Sequence, residues 1–303
     1  MKKILLLLVS LMTLNGCFST LPEIPDPDPE GGGGQGGFIS DYSTTVWEYL
    51  PAPGQFIGEI GTGMESITSP EIACEYARQR LNNQAYVSLG GFGGYIIVGF
   101  AKDILNTGGN EFSITSNQTS VSSEPGIVWV MKDDNNNDKP DDTWYELKGS
   151  QYGKDDYQSN YAVTYYDDPD KKIGADIAWE DSDGNKGVIK YLKEFHSQDS
   201  YFPRWLNTTS YTLRGSRLKP NITYNDSKKR WEFPSFDWGY ADNYEGAQNL
   251  NRTFFSLNNA VDKDGKPVSL SSISWVKIQS AVNFQAGDCG EVSTEICAVK
   301  IEN

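Results

Sequence analysis

The run from Asp133 to Asp142, Asp-Asp-Asn-Asn-Asn-Asp-Lys-Pro-Asp-Asp, has the spacing best suited to a chemical role. Oxygen-bearing side chains at every second position of a turn can converge on one cation, and Ca²⁺ accepts carboxylates, amides and backbone carbonyls together. In an EF-hand-like frame the ligands come from positions one, three, five, seven and nine: Asp133, Asn135, Asn137, the carbonyl of Lys139, and Asp141. The sequence therefore predicts a calcium ion that fixes this loop.

The ligand set is incomplete in this frame, because the twelfth position is Trp144, which cannot bind a metal ion. A complete site needs Asp142, Glu146 or a distant carboxylate. A frame shifted by one residue is almost as good and would use Asp134, Asn136, Asp138 and Asp142. Asn and Asp also favour turns in the absence of metals, so a metal-free turn is the competing interpretation.

Aromatic residues beside polar groups form a second set of candidates. Rings that combine an apolar face with a polar edge hold sugars and flat hydrophobic cofactors. The predicted ligand-binding residues are Trp205, Trp238, Tyr240 and Tyr244. Trp205 and Tyr244 are the pair that we expect to be exposed. Aromatic side chains also fill the interiors of β-sandwiches, so a place in the core is the alternative for each ring.

Catalytic chemistry has less support in the sequence. His196 is the only histidine, and no nucleophile elbow is present, so a Ser-His-Asp or Cys-His device is not expected. Paired carboxylates could serve as the acid and base of a glycosidase or lyase, with Glu124, Glu146, Asp237 and Glu245 as candidates. An acidic chain always offers such carboxylates. We therefore expect a binding protein, with a carbohydrate-active enzyme as one alternative.

Short β-branched and aromatic runs, bounded by Gly, Pro, Asn and Asp, predict the strands that position these residues. The clearest runs are 95–100, 126–131, 161–166 and 274–278. One helix is predicted, with Ser69 as N-cap, Pro70 at the first position, Ile72, Tyr76 and Leu81 near one face, and an end near 82–83. Strands without intervening helices indicate an all-β fold, a jelly-roll-like β-sandwich with one short N-terminal helix and long loops.

The glycine-rich stretch 89–94 does not fit a phosphate-binding loop, because it precedes a strand instead of linking a strand to a helix. It predicts a tight turn where two backbones approach closely.

The N-terminal segment predicts export and a lipid anchor. Lys2 and Lys3 precede an apolar run, 4–12, that is too short to span a bilayer. The sequence Leu-Asn-Gly-Cys that ends at Cys17 matches the cleavage and acylation signature of bacterial lipoproteins. A secreted protein with a chance cysteine at this place is the alternative. The predicted organisation is a signal peptide over 1–16, a lipidated Cys17 with a Pro/Asp/Gly-rich tether over 17–37, and a single β-sandwich domain over 38–303.

Charge and cysteine content narrow the functional classes. The chain has 41 acidic and 26 basic residues, which argues against nucleic acid as a partner and against docking on anionic lipid. Membrane attachment is therefore expected through the lipid anchor alone. Three cysteines remain beyond Cys17, namely Cys74, Cys289 and Cys297. A bridge between Cys289 and Cys297 stays open, whereas Cys74 falls in the predicted helix.

Several motifs carry a family resemblance. They are PAPGQF at 51–56, VSLGGFGGY at 87–95, SEPGIV at 123–128, KPDDTWYEL at 139–147, FDWGYADN at 236–243 and the stretch 260–268. Over nearly the whole folded region they resemble a family of outer-membrane lipoproteins of Bacteroides-type bacteria, known as cell surface proteins. Asn136 and Asp138 stand where this family would have glycine, but both residue types tolerate a left-handed backbone.

The resemblance implies a role beside TonB-dependent uptake systems, some of them for cobalamin, and a similarity to jelly-roll binding domains. We therefore expect an outer-membrane lipoprotein, exposed at the cell surface, that binds an extracellular nutrient and assists its uptake by a TonB-dependent transporter. A corrinoid and a glycan are both open as the ligand. A structural accessory subunit of the transporter is the other alternative.

Overall fold

A computed structural model describes residues 40–168, 170, 173–246 and 251–302. The predicted signal peptide, Cys17 and the tether lie outside the described residues. The described chain forms, in order, β1 (Thr45–Leu50), α1 (Pro70–Asn82), β2 (Val87–Ser88), β3 (Tyr95–Leu105), β4 (Phe112–Ser116), β5 (Gly126–Met131), β6 (Trp144–Leu147), β7 (Tyr157–Tyr166), β8 (Ile177–Asp181), β9 (Lys186–Ile189), β10 (Ser210–Leu218), β11 (Thr223–Asn225), β12 (Arg230–Glu232), β13 (Arg252–Phe255), β14 (Ala260–Val261), β15 (Ser272–Ser280) and β16 (Glu295–Ile301). The four predicted strand runs fall within β3, β5, β7 and β15.

The single α-helix begins as predicted. The Ser69 hydroxyl accepts a hydrogen bond from the backbone N–H of Ile72, and Pro70 occupies the first position. The predicted buried face is wrong in part, because Ala73, Ala77 and Leu81 face the core whereas Ile72 is 45% exposed. Residues spaced by four lie on one face of a helix, and two small alanines allow α1 to pack closely on β1 and β16.

Two antiparallel sheets form the sandwich. The larger has the strand order β1-β3-β15-β5-β6-β14 and the smaller the order β13-β4-β16-β2. Successive side chains point to opposite faces of a strand, so alternate residues of the large sheet meet the small sheet. The core between them contains Ile96, Val98, Val128, Val130, Val276 and Ile278 from the large sheet, and Phe112, Ile114, Phe255, Ile296 and Ile301 from the small one. The prediction of an all-β sandwich with one helix is confirmed.

A third sheet, with the order β10-β7-β8-β9, covers part of the opposite face of the large sheet. Its apolar side chains pack around Phe92, and the Tyr165 hydroxyl donates to the Phe92 carbonyl at 2.8 Å. The Gln279 amide of β15 donates to the backbone carbonyls of Gly93 (2.9 Å) and Arg214 (3.1 Å). These polar contacts fix the distance between the large sheet and β10.

The glycine-rich stretch makes the close approach that the sequence predicts. Gly90 has φ +68°, and a Cβ at this position would overlap the carbonyl of Ala52. A Cβ at Gly94 would overlap the carbonyl of Leu89. Glycine is therefore required at both positions, for backbone packing and not for a phosphate.

Two further findings concern the cysteines and the membrane. Cys289 is an exposed free thiol, so the hairpin disulfide that the spacing left open does not form. None of the described helices is long and apolar enough to cross a bilayer.

Candidate functional site

The acidic loop lies between β5 and β6 and adopts the turn that the first calcium frame requires. The Asp133 carboxylate accepts backbone N–H groups from Asn137 (3.2 Å) and Asp138 (2.9 Å). Asn136 and Asp138 have φ values of 56° and 57°, in the left-handed region that Asn and Asp tolerate better than most residues. These residues thus replace the expected glycines without loss of the turn.

The side chains of the first frame converge, whereas those of the second frame do not. The amides of Asn135 and Asn137 both donate to Asp141, at 3.1 and 3.0 Å, and hold the pKa of its carboxyl below the usual value. Asp134 instead pairs with Lys132 at 2.9 Å. Asp142 accepts the backbone N–H of Asp134 and closes the loop. The amide oxygens of Asn135 and Asn137 accept the backbone N–H groups of Asn137 and Lys139, so hydrogen bonds within the loop order the side chains of the first frame.

The four predicted aromatic ligands do not form one surface. Tyr240 is 1% exposed and its hydroxyl accepts the N–H of Gln151, so its ring has no free face. Trp205 is half-buried against the sandwich core, and Tyr244 is also half-buried. Trp238, 43% exposed, is the one member of this set that lines a groove of about 400 Å³, together with Lys148, Glu245 and Phe254.

A second cleft lies on the face of the large sheet that is turned away from the sandwich core. Lys277 of β15 pairs with Trp129 of β5, and Trp129 pairs with Glu146 of β6. Residues directly opposite each other on antiparallel strands share a face. A lysine, a tryptophan and a glutamate therefore form one row across three adjacent strands.

The third sheet and two turns wall this cleft, which has a volume of about 300 Å³. Its lining comprises Trp129, Trp144, Glu146, Tyr152, Tyr157, Ser159, Asn160, Arg214, Gly215, Ser216, Val261, Asp262, Lys263, Lys277 and Gln279. The cleft thus combines four aromatic side chains with a larger number of polar and charged ones.

Glu146 is buried, 4% exposed, at one side of Trp129. Its carboxylate accepts hydrogen bonds from the hydroxyls of Tyr157, at 2.9 and 3.0 Å, and of Ser216. Ser216 lies at a register shift between β10 and β7, a bulge of the kind that re-aims a side chain. Burial raises the pKa of Glu146 to about 7, and the hydrogen bonds from Ser216 and Tyr157 oppose that rise.

Lys277 is at the other side of Trp129. Its Nζ lies 4.2 Å from the ring centroid of Tyr95, a cation–π contact. Burial lowers the pKa of Lys277 to about 8, and the charge of Glu48 acts in the opposite direction. Both ionisable groups of the row thus have pKa values near neutrality, a property that is concentrated in functional sites.

The cleft also contains polar atoms without partners. Trp129 Nε1 and Gln279 Oε1 are buried and have no hydrogen-bond partner among the described residues. Gly215 faces Gln279, and a Cβ there would overlap the glutamine side chain. Both atoms have almost no accessible surface, and Gly215 packs against Gln279 Oε1, so the open part of the cleft is lined by the ring of Trp129 and not by its N–H.

A separate group of three carboxylates lies in the protein interior. One oxygen from each of Glu124, Asp242 and Glu295 lies within 4.8 Å of the others. Burial, together with the negative charge of its neighbours, raises the pKa of Glu124 and of Asp242, and burial raises the pKa of Glu295 to about 7. Burial and the charge of the neighbouring carboxylates thus disfavour the ionised form of each of these groups.

The four carboxylates considered for catalysis are therefore scattered. Glu146 lines the cleft, Glu124 belongs to the interior group, and Glu245 lies in the groove beside Trp238, where it accepts the N–H of Gly239. Asp237 is exposed and lines neither of these two pockets. The single histidine contacts Gln55 at 3.2 Å, next to the rings of Phe56 and Tyr201.

No protein-family model matches this sequence, and none of the curated proteins matches it. The family resemblance of the motifs thus stays a prediction.

Sequence reasoning identified Glu146 but missed Trp129 and Lys277. One signal was present in β15. Residues 273–278 are apolar except for Ser274 and Lys277. A long charged residue inside a strand of this kind is a candidate for a buried functional group.

Proposed function

We propose that the β-sandwich domain binds a small extracellular ligand of the carbohydrate class in the cleft over Trp129. The observation that carries this proposal is the Lys277–Trp129–Glu146 row, in which a half-buried indole ring lies between two ionisable groups. Sugars offer an apolar ring face together with hydroxyls that accept and donate hydrogen bonds, and this cleft has groups for both.

The size of the cleft supports a glycan over a corrinoid. Its volume of about 300 Å³ is at the lower end of ligand pockets, which span about 300–1,000 Å³. A mono- or disaccharide is of that size, whereas a corrin ring with its nucleotide is much larger. Binding of cyanocobalamin instead of a saccharide would therefore change the proposed ligand class to a corrinoid.

We propose that the domain binds its ligand without converting it to a product. Glu146 has a pKa near 7, which suits a general acid, but the other cleft carboxylate, Asp262, accepts the backbone N–H groups of Asp264 and Lys266. Those bonds hold the pKa of Asp262 low and tie its Oδ1 to the turn. Release of a product from a bound glycan, lost in Glu146→Gln, would favour the enzyme instead.

The test is calorimetric titration of the purified protein with neutral and acidic mono- and disaccharides and with cyanocobalamin. Trp129→Phe keeps an aromatic ring but reduces the ring surface on which a sugar can stack, so we expect affinity to fall about threefold to tenfold. Trp238→Phe, in the other groove, is the matched control and should bind as the native protein does. The proposal is overturned when no saccharide binds, or when only the control variant loses affinity.

We also propose that the loop from Asp133 to Asp142 binds Ca²⁺, with a structural role. Calcium added to chelator-treated protein should give a saturable heat of binding and raise the melting temperature. Asp133→Ala should abolish that heat, whereas Asp134→Ala, which removes only a ligand of the second frame, should retain it. Equal effects of the two variants, or no binding heat in the native protein, would contradict the assignment.

The proposed setting is the surface of an outer membrane, with acylation at Cys17 and delivery of the ligand to a TonB-dependent transporter. Mass spectrometry of the native protein tests the acylation, and co-purification with a transporter tests the partner. A protein that co-purifies with the transporter but binds no small ligand would be a structural accessory subunit.

A further inference from the structure

We propose that the ligand of the cleft is an anionic sugar whose charged group is bound by Lys277 and Arg214. This inference rests on the proposed function and specifies its ligand class. It comes from the charges that line the cleft, and from the absence of carboxylate partners for two of them among the described residues.

The cleft reverses the charge balance of the protein. The whole chain has a formal net charge of −15, yet the cleft is lined by three basic residues, Arg214, Lys263 and Lys277, and two acidic ones, Glu146 and Asp262. Lys263 pairs with Asp264, whereas Arg214 and Lys277 have no carboxylate partner among the described residues, and such unpaired basic groups attract ligands of the opposite sign. A negatively charged ligand is therefore favoured here, although the rest of the surface repels it.

Lys277 has no carboxylate within ion-pair distance among the described residues. Its closest described partner is the Tyr95 ring, while Glu48 stands two strands away in the same cross-strand row, beyond Ile97. Burial of an ammonium without an ion pair is costly. An anion in the cleft would supply the missing partner.

Arg214 lines the same cleft as Lys277. Its backbone carbonyl accepts a hydrogen bond from the Gln279 side chain, and Gln279 lies two residues from Lys277, on the same face of β15. The Arg214 guanidinium is exposed and donates to the carbonyl of Asn160 at 3.3 Å, which leaves most of its donors available. Lys263 differs, because its ammonium is 87% exposed and pairs with Asp264 at 2.8 Å.

Glu146 does not prevent an anion from binding at Lys277. The hydroxyls of Tyr157 and Ser216 donate to the Glu146 carboxylate, which can still accept a further hydroxyl, and Trp129 lies between Glu146 and Lys277. The sugar ring would stack over Trp129 with its charged group toward Lys277 and Arg214. Its neutral hydroxyls would then be directed toward Glu146.

The experiment compares sugars that differ in charge alone. Galacturonate and galactose 6-sulfate would each be titrated into the purified protein, alongside methyl galacturonate and galactose as neutral counterparts. We expect each anionic sugar to bind at least about tenfold more tightly than its neutral counterpart, since a hydrogen bond to a charged group is worth more than a neutral one. The two anionic arms distinguish a carboxylate from a sulfate.

Variants of the cationic pair locate the effect. Lys277→Met removes the charge and keeps a side chain of similar length that can be buried. Arg214→Gln removes the charge and keeps a hydrogen-bond donor. Each should reduce the anionic preference, measured as the ratio of the affinities for the anionic sugar and its neutral counterpart, about tenfold or more. Lys263→Gln is the matched control and should keep the full preference. An unchanged melting temperature reports that each variant is folded.

Three results would overturn the inference, and they are distinguishable. Equal affinity for the charged and neutral sugars would refute the anionic specificity but leave the carbohydrate-binding function in place. Failure of all four sugars to bind would remove both. Retention of the anionic preference in Lys277→Met and Arg214→Gln together would also refute the assignment, because another site would then bind the charge.

Discussion

The interior carboxylates should make the stability of this protein fall as the pH rises, and Glu295→Gln isolates the effect. Glu295 is 1% exposed, and burial raises the pKa of its carboxyl from 4.5 to about 7. The folded state therefore holds a proton that the unfolded chain releases more readily. Stability from this group is fully present below pH 4.5 and is lost as the pH rises through about 7.

The magnitude follows from the difference in pKa. Each pKa unit corresponds to about 1.4 kcal/mol, so Glu295 should lower the free energy of unfolding by about 2.5 kcal/mol between pH 5 and pH 8. Glutamine has nearly the same shape and no titrating proton. The variant should thus be more stable than the native protein at pH 8 and closer to it at pH 5.

The assay is urea denaturation at pH 5 and pH 8, in buffers with a chelator so that no divalent cation replaces the protons. Glu194→Gln, at an exposed position, is the matched control and should follow the native protein at both pH values. Glu124 and Asp242 continue to titrate in the Glu295 variant, so a reduced pH dependence should remain. A Glu295 variant with the native pH dependence, or with lower stability than the native protein at pH 8, would refute the reasoning.

Three further predictions follow from single contacts. Gly90→Ala should destabilise the fold by about 3 kcal/mol or more, because a Cβ there overlaps a backbone carbonyl at φ +68°; a loss below about 1 kcal/mol in urea denaturation would contradict this. Phe112→Ala should cost about 3–5 kcal/mol by the same assay, since the ring is fully buried, and a near-neutral result would show that the core closes around the gap. Tyr157→Phe removes a donor to Glu146 and should raise the pKa of that carboxyl above about 7, as followed by carboxyl ¹³C NMR; an unchanged titration would show that the tyrosine is no donor.

The elements of this fold could be predicted where the signal is local. The N-cap and first-position proline of α1 act within four residues, and the run 126–131 became β5 without a change of boundary. The left-handed backbone at Asn136 and Asp138 could likewise be predicted, because it depends on residue type alone. The pairing of strands could not be predicted from the sequence, because β3 and β15 are separated by most of the chain. They pair because their side chains pack in one shared core.

The aromatic candidates show the same limit. The segment with Trp238 and Tyr240 looked like a binding surface because it is rich in rings and turns, yet Gly239 between them, at φ +91°, sends one ring out and the other into the core. Trp129 appeared to be an ordinary core residue of a buried strand. It lies over the cleft only because its strand has a second face, and a third sheet covers that face incompletely.

Lys277 lies on the face of the large sheet that the third sheet covers incompletely. β15 pairs with strands on both sides in the large sheet, and its other side chains near this point are apolar or tightly bonded. A lysine there weakens the fold, because burial disfavours its charge, and a methionine of similar size would pack without that cost. Stability alone therefore gives no reason for a lysine at this position. The proposed anionic ligand of the cleft, which Lys277 and Arg214 both line, would supply such a reason. Its charge would compensate the burial of the lysine.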